Sequence, residues 1–205
     1  MALINQVKKE IQLKIVYYGP AQGGKTTNLE RVHSDVETAK PDEKGKLTSL
    51  ATSSDRTLFF DFLPMEAMSI KGYRTKFQLF TVPGQVIYNT TRQLVLRGVD
   101  GIVFVADSQY DKMEENIESF ANMEDNLKTL NIRLSEIPYV LQYNKRDMDS
   151  VAPIEYMEYL LNNGEVEVPS IESSAVKGDG VFETLNMISR LLLHKFINER
   201  IRKAS

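Results

Sequence analysis

The chain has 205 residues, 42 % of apolar type, with 25 Lys plus Arg against 28 Asp plus Glu, a formal net charge of −3 and no cysteine. At about 150 residues per domain this is one compact domain, and a slightly acidic balance offers no field for a polyanion, so no nucleic-acid partner is expected. Absent cysteine excludes disulfide scaffolds, thiolate catalysis, cysteine-held zinc and prenyl or palmitoyl anchors, and two histidines, His33 and His194, leave little for imidazole chemistry. No apolar run approaches the roughly 18 residues that span a bilayer, and Ala2 stands where myristoylation needs glycine, so the expectation is a cytoplasmic protein with no stable membrane anchor.

Short β-rich runs alternate with longer segments of helical period, the pattern of an α/β protein with a mostly parallel sheet. Six strands are expected: Ile11 to Tyr17, Thr57 to Leu63 ending at Pro64, Lys76 to Val82, Gly101 to Ala106, Tyr139 to Tyr143 and Ser170 to Ser174. The unbroken apolar stretch from Gly101 to Ala106 predicts a strand covered on both faces. A first helix starts near Lys25, followed by a polar loop from His33 to Ser54. Steps of three and four place Met113, Ile117, Phe120, Met123, Leu127 and Leu130 on the buried face of one helix, and Val181, Leu185, Ile188, Leu192 and Phe196 on that of another. A further helix begins near Pro153, with Gly164 as its stop. Residues 1–197 form the domain, and 198–205 a fraying tail whose basic residues complement the last helix dipole.

Directly after the first strand comes Gly19-Pro-Ala-Gln-Gly-Gly-Lys-Thr26, a G-x-x-x-x-G-K-[ST] segment in strand–loop–helix context. Its glycines let backbone N–H groups converge on a phosphate at the positive end of the following helix. Lys25 supplies a point charge to the outer phosphates, and the Thr26 hydroxyl suits Mg²⁺. Gly19, Gln22, Gly23, Gly24, Lys25, Thr26 and Thr27 are the candidate phosphate-side residues.

The base is chosen by Asn144-Lys-Arg-Asp147, directly after the fifth strand, where an open parallel sheet places its ligand loops. The Asp147 carboxylate can accept from both N1–H and the exocyclic amine of guanine, a donor pair adenine lacks. The Lys145 stem would lie over the base, Asn144 would brace the loop, and the Ser173-Ser-Ala175 turn, through Ser174 and Ala175, would close the pocket.

These residues resemble the small Ras-like GTPase superfamily, and more closely its bacterial MglA-type branch. The resemblance is carried by Gly19 to Thr26, Asp55 to Pro64, Thr81-Val-Pro-Gly-Gln85, Gly98 to Ser108 and Asn144 to Asp147, and covers about residues 5 to 197. It implies a single-domain P-loop small GTPase fold, a six-stranded mostly parallel sheet with helices on both faces, binding GTP or GDP with Mg²⁺. It also implies roles for single residues. Thr57 would sense Mg²⁺ and the γ-phosphate beside Thr26. Gly84 would offer its N–H to the γ-phosphate, Gln85 would orient the attacking water, and Arg56 would act as an arginine finger in cis, so that Gln85, Arg56 and Lys25 form the catalytic set.

The chain departs from the usual pattern twice. Thr81 replaces the aspartate that ordinarily holds Mg²⁺ through water, so the metal shell should lose one formal charge and bind less tightly. Ala21 and Gln22 replace P-loop glycines, which predicts slow turnover dependent on a partner. In such proteins that partner is a roadblock-type, MglB-like activator, and the role is to regulate bacterial polarity and motility through effectors, with recruitment to a cell pole. The alternative expectation is a GTP-bound scaffold with negligible hydrolysis. An ATP-dependent kinase or transport ATPase disagrees with Asp147.

Overall fold

The computed structural model describes residues 3–39, 48–49, 61–70, 72–164 and 167–204. Their strands are β1 (Leu3–Asn5), β2 (Glu10–Tyr18), β3 (Thr48–Ser49), β4 (Asp61–Ile70), β5 (Tyr73–Thr81), β6 (Gly101–Asp107), β7 (Tyr139–Asn144) and β8 (Ser170–Glu172). The helices are α1 (Lys25–Ala39), α2 (Asn89–Leu96), α3 (Met113–Thr129), α4 (Ile154–Leu161) and α5 (Val181–Ala204). One sheet runs β3-β4-β5-β2-β6-β7-β8, with β1 on β2. Strands β5, β2, β6, β7 and β8 pair in parallel, and β4 is antiparallel to β5. The six expected strands are β2 and β4 to β8; the two extra ones are short and antiparallel to their neighbours.

Period-two alternation splits the core in two. Leu13, Ile15 and Tyr17 of β2 with Val103 and Val105 of β6 face α1 and α5, meeting Leu29, Val32, Val181, Leu185, Ile188 and Leu192. The intervening Val16 and Tyr18, with Ile102, Phe104 and Ala106, face α2, α3 and α4, meeting Leu96, Met123, Leu127 and Met157. All seven residues of β6 are buried, as its unbroken apolar run requires.

Five expectations change. The helix from Lys25 runs through His33 to Ala39, so a polar surface face, not a loop, occupies the start of the His33–Ser54 segment. Strand β4 does not end at Pro64 but continues to Ile70 and returns into β5 through Gly72, whose φ of +80° suits the tight reversal. Pro64 sits opposite Gln78, with no described strand pairing it on the other side, the edge setting in which a missing N–H is tolerated. On α3 the apolar period finds the buried face, with Met113, Met123 and Leu127 buried and Phe120 and Leu130 packed on the same core, but Ile117 is exposed, and Asn116, Ser119 and Asn126 are buried with them. Finally, α4 ends at Leu161 rather than Gly164, and α5 continues past Asn198 to Ala204.

Candidate functional site

Because β5, β2, β6, β7 and β8 run parallel, the loops leaving their carboxyl ends gather along one rim of the sheet. They are the loop from Gly19 to Gly24, the segment after Thr81, Asp107 to Gln109, Asn144 to Asp147, and Ser173 to Ala175.

Asn144 ties three of them together. It is buried, its Nδ2 donates to the Gly23 carbonyl at 2.8 Å, and its Oδ1 accepts from the Ala175 N–H at 2.9 Å and the Ser173 hydroxyl at 3.1 Å. This approach is why residue 24 is glycine: a Cβ there would fall 2.1 Å from Asn144 Nδ2, at a φ of +98°. We expect Asn144→Ala to leave the buried Gly23 carbonyl and Ala175 N–H unpaired, lowering stability by about 2–4 kcal/mol. A chemical denaturation curve with an unchanged midpoint would contradict this.

Beside this brace lies a cavity of about 220 Å³ lined by Gln22, Gly24, Thr27, Gln109, Asn144, Lys145, Asp147, Met148, Ala175 and Val176. The Asp147 carboxyl faces it, held below the usual carboxylate range chiefly by a hydrogen bond from the Ser174 side chain. Lys145 adopts the left-handed φ of +68°, and its ammonium pairs at 2.6 Å with the Asp107 carboxylate, which is only 1 % exposed. Asp107 is a site residue that sequence reasoning passed over; it anchors the lysine whose stem borders the cavity.

On the phosphate side, Lys25 is buried, with Nζ donating to the carbonyls of Gly19 at 3.1 Å and Pro20. Burial pushes its ammonium down to about 7, the Arg92 charge acts in the same direction, and Asp61 partly opposes both. Gln22 holds a left-handed φ of +57° in the same loop. Gly84 packs directly on this loop, since a Cβ there would fall 2.3 Å from Ala21 Cα. Gln85 follows, exposed, at the start of a short 3₁₀ turn.

The carboxylate missing at Thr81 is supplied from the neighbouring strand. Asp61 Oδ2 accepts from the Thr26 hydroxyl at 2.6 Å and the Thr81 hydroxyl at 3.0 Å, and the Asp61 N–H donates to Thr81 Oγ1 at 2.8 Å. The antiparallel register that pairs Phe62 with Phe80, continued by one residue, sets Asp61 opposite Thr81. A carboxylate thus stands at this corner, on β4 rather than on β5. Two hydroxyls and a carboxylate, all hard oxygen donors beside the phosphate loop, suit Mg²⁺. Arg56 and Thr57 lie outside the described residues.

A family model described as the Ras family matches residues 48–194. The chain is 50% identical over 193 residues to the mutual gliding-motility protein MglA of Myxococcus xanthus (strain DK1622), covering 94% of this chain and 96% of that protein. It is 31% identical over 147 residues to the Ras-related protein SEC4 of Saccharomyces cerevisiae, covering 71% and 64%. With the Ras-related protein rab-39 of Caenorhabditis elegans it shares 27% identity over 158 residues, covering 75% and 66%. A family match over most of the length, and half-identity from end to end with one relative, mean that the chain belongs to the Ras family, on its MglA-type branch, and is a GTP hydrolase.

Proposed function

We propose that the chain is a guanine-nucleotide switch with Mg²⁺ as cofactor, slow on its own and accelerated by a roadblock-type, MglB-like partner, and that it regulates cell polarity and motility through effectors. The observation that carries the switch reading is the Asn144 brace, which fastens the phosphate loop and the Asp147 loop around one cavity, so that two motifs far apart in sequence serve one ligand. The motility role follows the relative from Myxococcus xanthus, which is named for it. Among the described residues no helix is long and apolar enough to cross a membrane, which is compatible with recruitment to a pole by partners in the cytoplasm.

In this reading Asp147 accepts from the guanine edge, Lys145 covers the base, and Ser174 and Ala175 close the pocket. The Gly23, Gly24, Lys25 and Thr26 N–H groups and the Lys25 ammonium hold the phosphates. Thr26 and Asp61 would hold the metal, with Thr81 orienting the Asp61 carboxylate and Thr57 completing the shell in the GTP state. When bound, the metal neutralises charge on the β- and γ-phosphate oxygens. Gln85 orients the attacking water, and Arg56 neutralises charge on the transferring phosphoryl group. Loss of the γ-phosphate releases the Gly84 and Thr57 segments, and effectors read that change.

Single-turnover hydrolysis tests the catalytic set. Arg56→Ala is expected to slow the partner-stimulated rate by about 10³-fold or more, the scale of an arginine finger, and Gln85→Ala to slow it strongly as well. Unchanged rates in both variants would remove these residues from the mechanism. A wild-type rate that the roadblock-type partner leaves unaltered would remove the partner.

A further inference from the structure

Among the described residues Arg92 is the largest fully buried side chain, and the catalytic scheme above does not use it. Among the described residues no carboxylate pairs with it. Its guanidinium is satisfied by neutral groups: Nε donates to the Pro83 carbonyl at 2.8 Å, one terminal nitrogen to the Gly84 carbonyl at 2.5 Å, and the other to Asn122 Oδ1 at 2.6 Å. The group also lies 5.0 Å from the centre of the Tyr18 ring, and Tyr18 immediately precedes the phosphate loop. Burying a charge without a counter-charge is costly, and an apolar side chain of similar volume often serves packing as well or better. Packing alone therefore gives a weak account of an arginine here, whereas the atoms it grips suggest a strong one.

Two of those atoms are consecutive carbonyls of the segment after β5. A trans peptide is planar, with C=O and N–H pointing opposite ways. Fixing the Pro83 carbonyl on the α2 side therefore aims the Gly84 N–H away from Arg92. The loop's other side is the phosphate loop, against which Gly84 is packed at Ala21. Fixing the Gly84 carbonyl likewise sets the peptide from which Gln85 departs. The anchor is itself braced: Asn122 Oδ1 also accepts from the Tyr18 hydroxyl at 2.7 Å. Asn126 donates to Tyr18 Oη at 2.9 Å and to Asn89 Oδ1 at 2.7 Å, and Gln93 donates to Asn126 Oδ1 at 3.0 Å. Asn89 and Gln93 belong to α2, Asn122 and Asn126 to α3, so these two helices hold the guanidinium jointly.

We propose that Arg92 is the positioning residue for the Pro83–Gly84 peptide, presetting the Gly84 N–H for the γ-phosphate and Gln85 for the water, with Asn122 of α3 as its anchor. This rests on the guanine-switch reading of the site. A shift of α3 against α2 would move the guanidinium and, through it, the Gly84 peptide, which gives a partner on that face a route to the reacting phosphate.

The test uses Arg92→Met, Arg92→Lys and Asn122→Ala in the full chain, measuring affinity for mant-GDP and for a mant-labelled GTPγS, single-turnover GTP hydrolysis and the thermal midpoint. Arg92→Met leaves the Pro83 and Gly84 carbonyls without their donor and should lower the thermal midpoint; in the folded variant GDP should bind within about twofold, while GTPγS affinity falls about tenfold, the scale of one charge-assisted hydrogen bond, with a comparable loss in hydrolysis. Arg92→Lys, which keeps the charge but cannot span two carbonyls, should show the same split in smaller degree. Asn122→Ala leaves the arginine in place and loosens it, and is also expected to lower the GTPγS to GDP affinity ratio, which decides the matter if Arg92→Met does not fold. A wild-type ratio and wild-type hydrolysis in the folded variants would overturn the assignment. Failure of the wild type to bind GDP would instead overturn the guanine-switch reading beneath it.

Discussion

Asp147→Asn is expected to abolish the preference for guanine over adenine nucleotides, a discrimination on the order of 10⁴, because a site built around a paired hydrogen bond rejects ligands that cannot complete it. The carboxylate accepts twice; an amide accepts once and donates once. The donating half then meets the guanine exocyclic amine, donor against donor. Xanthine, with a carbonyl at that position, fits the amide, so the variant should gain affinity for xanthosine nucleotides as it loses GTP. The hydrogen bond from Ser174 that holds the Asp147 carboxyl low keeps it ionised through the physiological range, so the wild-type preference should not vary with pH near neutrality. Competition of GTP, ATP and XTP against a fluorescent guanine nucleotide reads all of this. A variant that still prefers GTP over XTP would show that the base is held elsewhere.

The second large effect belongs to Asp61. Asp61→Asn keeps the size of the side chain and removes the charge, and is expected to raise the Mg²⁺ concentration needed to retain nucleotide by about 10- to 100-fold, the range seen when groups supporting a metal shell are lost. The register of β4 against β5 makes a sharper experiment available, because Asp61 and Thr81 face each other across the strands. Thr81→Asp in the Asp61→Asn background returns the carboxylate to the same corner from the adjacent strand and should restore much of the Mg²⁺ dependence. Thr81→Asp alone sets two carboxylates against each other at the same corner and is expected to bind Mg²⁺ no more tightly than the wild type. Nucleotide release rates measured across a Mg²⁺ titration distinguish these cases. If Asp61→Asn behaves as wild type, the carboxylate on β4 has no part in holding the metal.

Both effects turn on residues that were not equally readable from the chain. Gly19 to Thr26 and Asn144 to Asp147 are contiguous runs whose chemistry is local, so each names its ligand before any fold is known. Their meeting needs only the rule that parallel strands present their carboxyl-end loops on one rim. Asp61 is different. Its partners lie 35 and 20 residues away, and alternation along β4 says only that it shares a face with the buried Leu63. The signal that could have found it was the anomaly at Thr81: a corner short of a carboxylate invites a search one strand over, at the residue opposite. Arg92 left a fainter trace still, since an arginine amid the polar residues of α2 reads as surface until neighbouring helices are seen to close over it.

The polar part of the buried face of α3 has the same origin. Apolar period counts Ile117 as core, yet the helix turns Asn116 inward, where it exchanges hydrogen bonds with the backbone of Asp107, and Asn126 inward, toward Tyr18. Buried polar residues with satisfied partners carry no apolar signature, and they cluster where a sheet end must hold a loop in one conformation. The longer first helix and the β4–β5 hairpin were missed for a simpler reason: the outer face of α1 is polar, and Pro64 reads as a stop when its edge position is unknown.

Loading the purified protein with γ-labelled GTP in Mg²⁺ and following both retained label and released phosphate, with excess unlabelled GDP or ADP as competitor, tests the guanine switch most directly. The account predicts Mg²⁺-dependent retention, displacement by GDP but not by ADP, and phosphate release that is slow alone and accelerated by a roadblock-type partner. Equal displacement by ADP, or no phosphate release even with that partner, would contradict it.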